Sequence, residues 1–402
     1  MPVTHRDIET AAAALSGQVV RTPTIASPRL SELFGMPLFF KLENLQFTGS
    51  FKDRGACNKL LQVRAGNLAP NGVVAASAGN HAQGVAYHAR RLGIAATIVM
   101  PQTTPFSKAE RTEALGATVV LHGESLSEAY QRAQELVQER QLLFIHPYDD
   151  DAVIAGQGTA AVEMLQDQPE LDVLVVPIGG GGLIAGMATW ARHVRPRLRI
   201  LGVQTEFCPS MVAAVRNQPA PSLRTHTLAD GIAVKQPGER TRAIIGKLVD
   251  DFVLVDETAI EHAVQVLVTQ QKTVTEGAGA AAFAAVCANP TRFHGEKVGV
   301  VISGGIIFRR MLSTVLLRGL ARDGKVARLR IEITDLPGTL SRVTRMIGAT
   351  GADIIEIEHE RLFSPLPPRQ AELDVVLETR GKSHVDQILR DLHAAGFPAR
   401  AF

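Results

Sequence analysis

The chain has 402 residues, 46% of them hydrophobic and 20% charged, the balance of a globular protein with a sizeable core. Its 42 Lys and Arg face 40 Asp and Glu, a net charge of +2, and no basic run interleaves with aromatics, so nucleic acid is not an expected partner. No stretch approaches the roughly 20 apolar residues of a membrane span, and the start lacks the basic segment, apolar core and cleavage site of a secretory signal, so neither a membrane nor secretion is expected.

In chain order, the first informative stretch is NLQFTGSFKDRGA (44–56), where Lys52 lies among glycines and small hydroxyl residues just before a helical pattern. In isolation such a lysine reads as a surface residue flanking a helix. Enclosed by small residues, the same lysine would be desolvated, its pKa lowered and its amine made nucleophilic, as Schiff-base chemistry requires. Next, GVVAASAGN runs into the helical HAQGVAYHARRLG, AATIVMP into FSKAERTEALG, and ATVVLHG into SLSEAYQRAQELVQERQ. Within the first of these, SAGNHAQG (77–84) puts a hydroxyl, an amide and bare backbone at a strand–helix turn, a suitable clamp for a carboxylate. His81, taken alone, reads as a structural hydrogen bond at the helix start.

LDVLVVPIGGGG then leads into LIAGMATWARHV, followed by RILGVQTE. Gly179, Gly180, Gly181 and Gly182 are costly in chain entropy, and at a helix N-terminus they allow a phosphate close approach. Gly180, Gly182 and Ala185 also satisfy the dinucleotide pattern G-x-G-x-x-G/A, with Glu206 ending the next strand, so a nicotinamide dehydrogenase stays open at this point. VGVVISGGI (298–306) is a further apolar strand, and it places Ser303 at its C-terminal end, where ligands of open α/β sheets collect. Short apolar runs separated by amphipathic helices predict parallel sheets covered on both faces, in two α/β lobes with a cleft between them.

After LARDGKVA (320–327) the pattern changes to strand VARLRIEI, turn TDLPGT, helix LSRVTRMIGATG and strand ADIIEIEHER. The loop LFSPLPPR, strand AELDVVLET, helix HVDQILRDLHAAG and a short end follow. This βαββαβ order predicts an α+β ferredoxin-like module, with Leu329, Ile331 and Ile333 on its buried face. Cys57, Cys208 and Cys287 are odd in number and far apart, which argues against a disulfide framework or a cysteine metal site and suits a reducing cytoplasm.

KLENLQFTGSFKDRGA, SAGNHAQG, GGGGL and SGG, in this order, resemble the threonine/serine dehydratases, pyridoxal-phosphate enzymes of the tryptophan-synthase β family with the two-lobed fold type II. The resemblance covers residues 1 to about 320 and implies a catalytic domain over 1–322, with a smaller lobe of about 50–150 set into a larger one. The tail from 326 to 402 resembles an ACT domain, a module that binds amino acids. By resemblance, Lys52 carries pyridoxal 5'-phosphate and abstracts the α-proton, Phe51 packs beside the ring, and Asn80 meets the 3-hydroxyl. Gly179 to Gly182 hold the phosphate and Ser303 faces the pyridine nitrogen. Ser77, Gly79, Asn80 and His81 receive the carboxylate of the amino-acid substrate, L-threonine or L-serine, with Gly231 nearby. An effector, isoleucine foremost, would bind near Asp335, Leu336, Gly338 and Leu340, and a dimer or tetramer follows.

The implied reaction is loss of water from threonine, giving 2-oxobutanoate and ammonia. Racemases of the family carry a serine where this chain has Ala78, so racemisation is disfavoured. Relatives commonly have Asn where this chain has Ile306. EFCPSMV carries no carboxylate after Glu206, so no metal is expected there. Glu276, in TEGAGA, reads either as a group that approaches the cofactor or, as the safer reading, as a surface carboxylate. A non-catalytic amino-acid sensor is the alternative from a different class.

Overall fold

In the computed structural model, residues 3–219, 222–224, 226–361, 367 and 369–402 are described; most of the loop LFSPLPPR lies outside them. The chain divides into two compact units, Met1–Ile307 and Phe308–Phe402. The helix Arg309–Arg322 therefore belongs to the second unit, where it packs against the strand that follows it, and not to the first as the sequence boundary at 322 implied. Its helical pattern resembles those before it, and the change in composition comes only after it.

The first unit contains strands β1 (Thr24–Ala26), β2 (Leu38–Leu42), β3 (Val73–Ala76), β4 (Ala96–Met100), β5 (Thr118–Leu121), β6 (Leu143–Phe144), β7 (Val173–Pro177), β8 (Arg199–Thr205), β9 (Asp251–Val255) and β10 (Val298–Ile302). They form two sheets, a six-stranded one in the order β1-β2-β10-β7-β8-β9 and a four-stranded one in the order β5-β4-β3-β6. Every pairing is parallel except β1 with β2. The chain thus begins in the large sheet, leaves to build the small one, and returns at β7. The apolar runs VLVVP, VGVVI and VVAA are buried throughout, as strands covered on both faces must be.

Helices open directly from the strand ends that matter. β3 leads into the helix Asn80–Leu92 and β7 into the helix Gly182–Val194. The helix Gly277–Ala288, GAGAAAFAAVCA, has no polar face and is buried from Gly277 to Val286, so its N-cap, Glu276, is drawn inside with it.

In the second unit β11 (Val326–Thr334), β12 (Asp353–Glu360), β13 (Gln370–Glu378) and β14 (Ala399–Ala401) form an antiparallel sheet in the order β12-β13-β11-β14. With helices Thr339–Ala349 and Lys382–Ala394 this is the ferredoxin-like arrangement. Leu329, Ile331 and Ile333 lie in its core.

Candidate active site

Lys52 opens the helix Lys52–Ala65 and follows a tight loop that is stitched to the end of β10. Phe51 N–H donates to Ser303 O at 3.0 Å, Gly305 N–H donates to Gly49 O at 2.9 Å, and Ser50 bridges Gly304. Gly49 has φ +82°, and a Cβ there would lie 3.3 Å from Ile306, so the departure at Ile306 packs directly over this turn. Lys52 Nζ donates to the carbonyl of Pro147 at 2.6 Å and lies 5.1 Å from the centre of the Phe51 ring. Among the described residues no carboxylate forms an ion pair with it. Burial without a counter-charge brings its pKa down to about 8.

What keeps this loop rigid is charged and lies behind it. Asp53 is fully buried and accepts from both the backbone and the hydroxyl of Thr48, at 2.9 and 2.5 Å. Arg54, also fully buried, forks onto Glu43 (2.7 and 2.8 Å) and onto Glu163 (2.7 Å on each oxygen). Lys41 completes the cluster on Glu163 at 2.5 Å. Two cations thus balance two carboxylates. Burial alone would favour neutral Arg54, but Glu43 and Glu163 hold it firmly charged.

Gly179–Gly182 form the turn between β7 and the helix Gly182–Val194. The turn is glycine for steric reasons at two positions. A Cβ on Gly180 would lie 2.2 Å from the Tyr148 ring, and Gly181 has φ +93° with Ile245 2.7 Å from the same point. The Thr241 hydroxyl donates to Gly180 O at 2.7 Å.

Sequence reasoning overlooked the stretch 146–150, which joins these parts. Pro147 accepts from Lys52, Tyr148 packs on Gly180 and donates to Gln236 O at 2.9 Å, and Asp149 accepts from the N–H groups of Glu239 and Thr241, both at 3.1 Å. Asp150 caps the helix Asp151–Asp167 and pairs with Lys59 at 2.6 Å. Its sequence, HPYDD, carries no glycine signature and only an ordinary capping signal.

The Ser77–Gly79 turn leaves the first amides of the helix Asn80–Leu92 without side-chain caps. Ser77 Oγ accepts from Gly79 N–H at 3.2 Å, and the space a Cβ on Gly79 would take is open. The His81 ring is buried and its Nε2 meets Ile145 O at 3.0 Å; burial, and then the Lys52 charge, lower its pKa to about 3. This neutral imidazole is engaged inward, which leaves the backbone amide, not the ring, as what His81 can offer an anion.

Asn80 Nδ2 donates to Glu276 Oε1 at 2.7 Å. The expectation of a surface carboxylate is thereby corrected: Glu276 is 7% exposed, because the apolar helix behind it carries its cap into the interior. Burial, with the Asp230 charge adding to it, raises its pKa to about 8. Gly231 faces the same group, its Cβ position 3.7 Å from Glu276 Oε1. Ser303, buried at the end of β10, donates from Oγ to Ala278 O at 3.4 Å. Glu206, which a dinucleotide reading needs, is exposed beyond β8.

In the second unit, Asp335 pairs with Arg361 at 3.3 Å. Leu336 is 62% and Leu340 38% exposed, and Gly338 (φ +89°) caps the helix Thr339–Ala349.

Residues 15–304 match the family model described as pyridoxal-phosphate dependent enzyme, and the chain belongs to that family. It is 43% identical to an L-threonine ammonia-lyase of Thermotoga maritima over 399 residues, 99% of each chain. Among solved structures it resembles threonine deaminase isoform 2 of Solanum lycopersicum (TM-score 0.74, 34% identity, 80% of this chain and 91% of that one). It also resembles maize serine racemase (TM-score 0.74, 32% identity, 80% and 99%). The cofactor is pyridoxal phosphate. The residues present suit it: a half-buried, desolvated amine with no carboxylate among the described residues to neutralise it, and a crowded glycine turn whose amides open a helix. Among the described residues no helix is long and apolar enough to cross a membrane.

Proposed function

We propose that the protein is a threonine ammonia-lyase that converts L-threonine to 2-oxobutanoate and ammonia, with L-serine as a secondary substrate giving pyruvate. The observation that carries the reading is the half-buried Lys52, its amine desolvated without a carboxylate partner and turned to a carbonyl acceptor, in a chain that matches an L-threonine ammonia-lyase from end to end.

Bound pyridoxal phosphate supplies the electron sink that makes the α-proton of a joined amino acid acidic. The amides of the glycine turn at Gly179–Gly182 bind the phosphate, and Phe51 and Asn80 orient the ring. Ser77 and the amides at the start of the helix, those of Asn80 and His81 foremost, bind the substrate carboxylate, since an anion at a helix N-terminus meets both donors and a favourable dipole. Lys52, with its pKa near 8, holds an appreciable neutral fraction and takes the α-proton. The β-hydroxyl leaves as water, and hydrolysis of the freed enamine gives the keto acid and ammonia. Ser303 presents a neutral hydroxyl to the ring nitrogen, so the sink is weaker than an aspartate would make it. That suits elimination, in which the departing hydroxyl takes up electrons, better than transamination.

The fold similarity to a serine racemase raises racemisation as a second reading, but Ala78, the residue after Ser77, has no group to move a proton on the second face. The second unit is assigned as an ACT module that binds isoleucine through the 335–340 loop in a homo-oligomer of cytoplasmic enzyme.

The test is a visible spectrum of the purified protein, borohydride reduction, and a keto-acid assay with L-threonine. The expected result is a cofactor band trapped on Lys52 and production of 2-oxobutanoate, both lost in Lys52→Ala. A colourless protein that takes up no pyridoxal phosphate would overturn the assignment.

A further inference from the structure

Glu276 is a buried carboxylate that forms no salt bridge among the described residues. Taking a charge out of water without a cation beside it is costly, so such a group persists where its hydrogen bonds matter. Its partner is Asn80, which comes from the other lobe: Asn80 begins the helix after β3 of the small sheet, and Glu276 caps the helix Gly277–Ala288 beside the large one. The fit is close. A Cβ on Gly304 would lie 2.3 Å from Glu276 Oε1 and 3.1 Å from Asn80 Nδ2, so the glycine after Ser303 is what admits the pair. A second bond crosses in parallel, Lys108 to Asp230 at 3.3 Å, and these are the charges that face Glu276.

Above about pH 8, where Glu276 is ionised, it can only accept hydrogen bonds. Asn80 must therefore turn its amino group toward Glu276 and commit its carbonyl oxygen to the other side of the amide. One N–H and that oxygen remain, in a fixed sense, for the ligand. Without Glu276 the two faces of the amide would exchange at little cost.

We infer that Glu276 is a positioning residue: it sets the orientation of the Asn80 amide and holds the two lobes' halves of the site in register. The inference rests on the reading proposed above.

The experiment compares wild-type holoenzyme with Glu276→Gln, Asn80→Ala and the double variant. It measures pyridoxal-phosphate affinity by equilibrium dialysis, and kcat and KM with L-threonine, all at about pH 9, where Glu276 is ionised. Glutamine keeps the shape but can donate or accept, so it no longer dictates the amide. Expected are a fall in kcat of about tenfold, a KM changed by less than about threefold, and weaker cofactor affinity, with the double variant no worse than Asn80→Ala. Should the glutamine variant fail to fold, Glu276→Asp, which keeps the charge but withdraws it from Asn80, enters the same cycle. Retention of kcat and cofactor affinity within about twofold, or losses at the two sites that multiply, would overturn the inference. A wild-type protein without lysine-linked cofactor would instead overturn the functional reading, whatever the variants do.

Discussion

A lysine at its ordinary pKa of about 10.5 is neutral in only about 0.03% of molecules at pH 7, whereas one near 8 is neutral in about 10%. For Lys52 the lowering comes from burial, and it sets the direction of a pH effect. Cofactor capture by the apoprotein needs the neutral amine, so its rate should climb with pH and level off above about 8. Stopped-flow absorbance checks this, and a rate still rising between pH 9 and 10 would show an ordinary, solvated lysine. At this scale the sequence offers candidates where the chemistry is local. Lys52, Asn80 and Ser303 each stand within a few residues of the glycines that mark them. The surface reading of Glu276 failed because its partner lies 196 positions away. The available signal was indirect: GAGAAAFAAV is apolar all round, so its helix must be buried, and its cap goes in with it.

Among the elements, the glycine turn makes the sharpest prediction. The methyl group of Gly180→Ala would overlap the Tyr148 ring, so the ring or the turn must move. Pyridoxal-phosphate affinity should fall by about tenfold or more, since ~1.4 kcal/mol of strain is enough. Adding Tyr148→Ala should restore part of the loss, as fluorescence titration would show; an unchanged affinity in Gly180→Ala alone would remove the turn from the phosphate site. The strands and helices were legible because apolar runs such as VLVVP and VGVVI repeat the pattern of buried parallel strands. What packs on each turn was not. Tyr148 and Thr241 reach the glycines only through the folding of the whole unit, and Arg54 gives no sign in sequence that Glu43 and Glu163 enclose it.

For the molecule as a whole, the two units divide the proposed labour, with turnover in 1–307 and effector binding in the ferredoxin-like unit. Isoleucine titrated against the initial rate of the full chain should change that rate, and the response should vanish in a chain ending at residue 307. A flat response in the full chain would sink the isoleucine assignment. The division itself was only partly legible: the second fold showed in its alternating strands, while the helix Arg309–Arg322 carries no mark of the unit it joins.

The acceptor that holds the Lys52 amine belongs to the main chain, at Pro147. No single codon change deletes a carbonyl oxygen. Selection can therefore reach this contact only by moving the backbone, and the same five residues also seat the glycine turn and cap two helices. Drift at 146–150 would carry several penalties together.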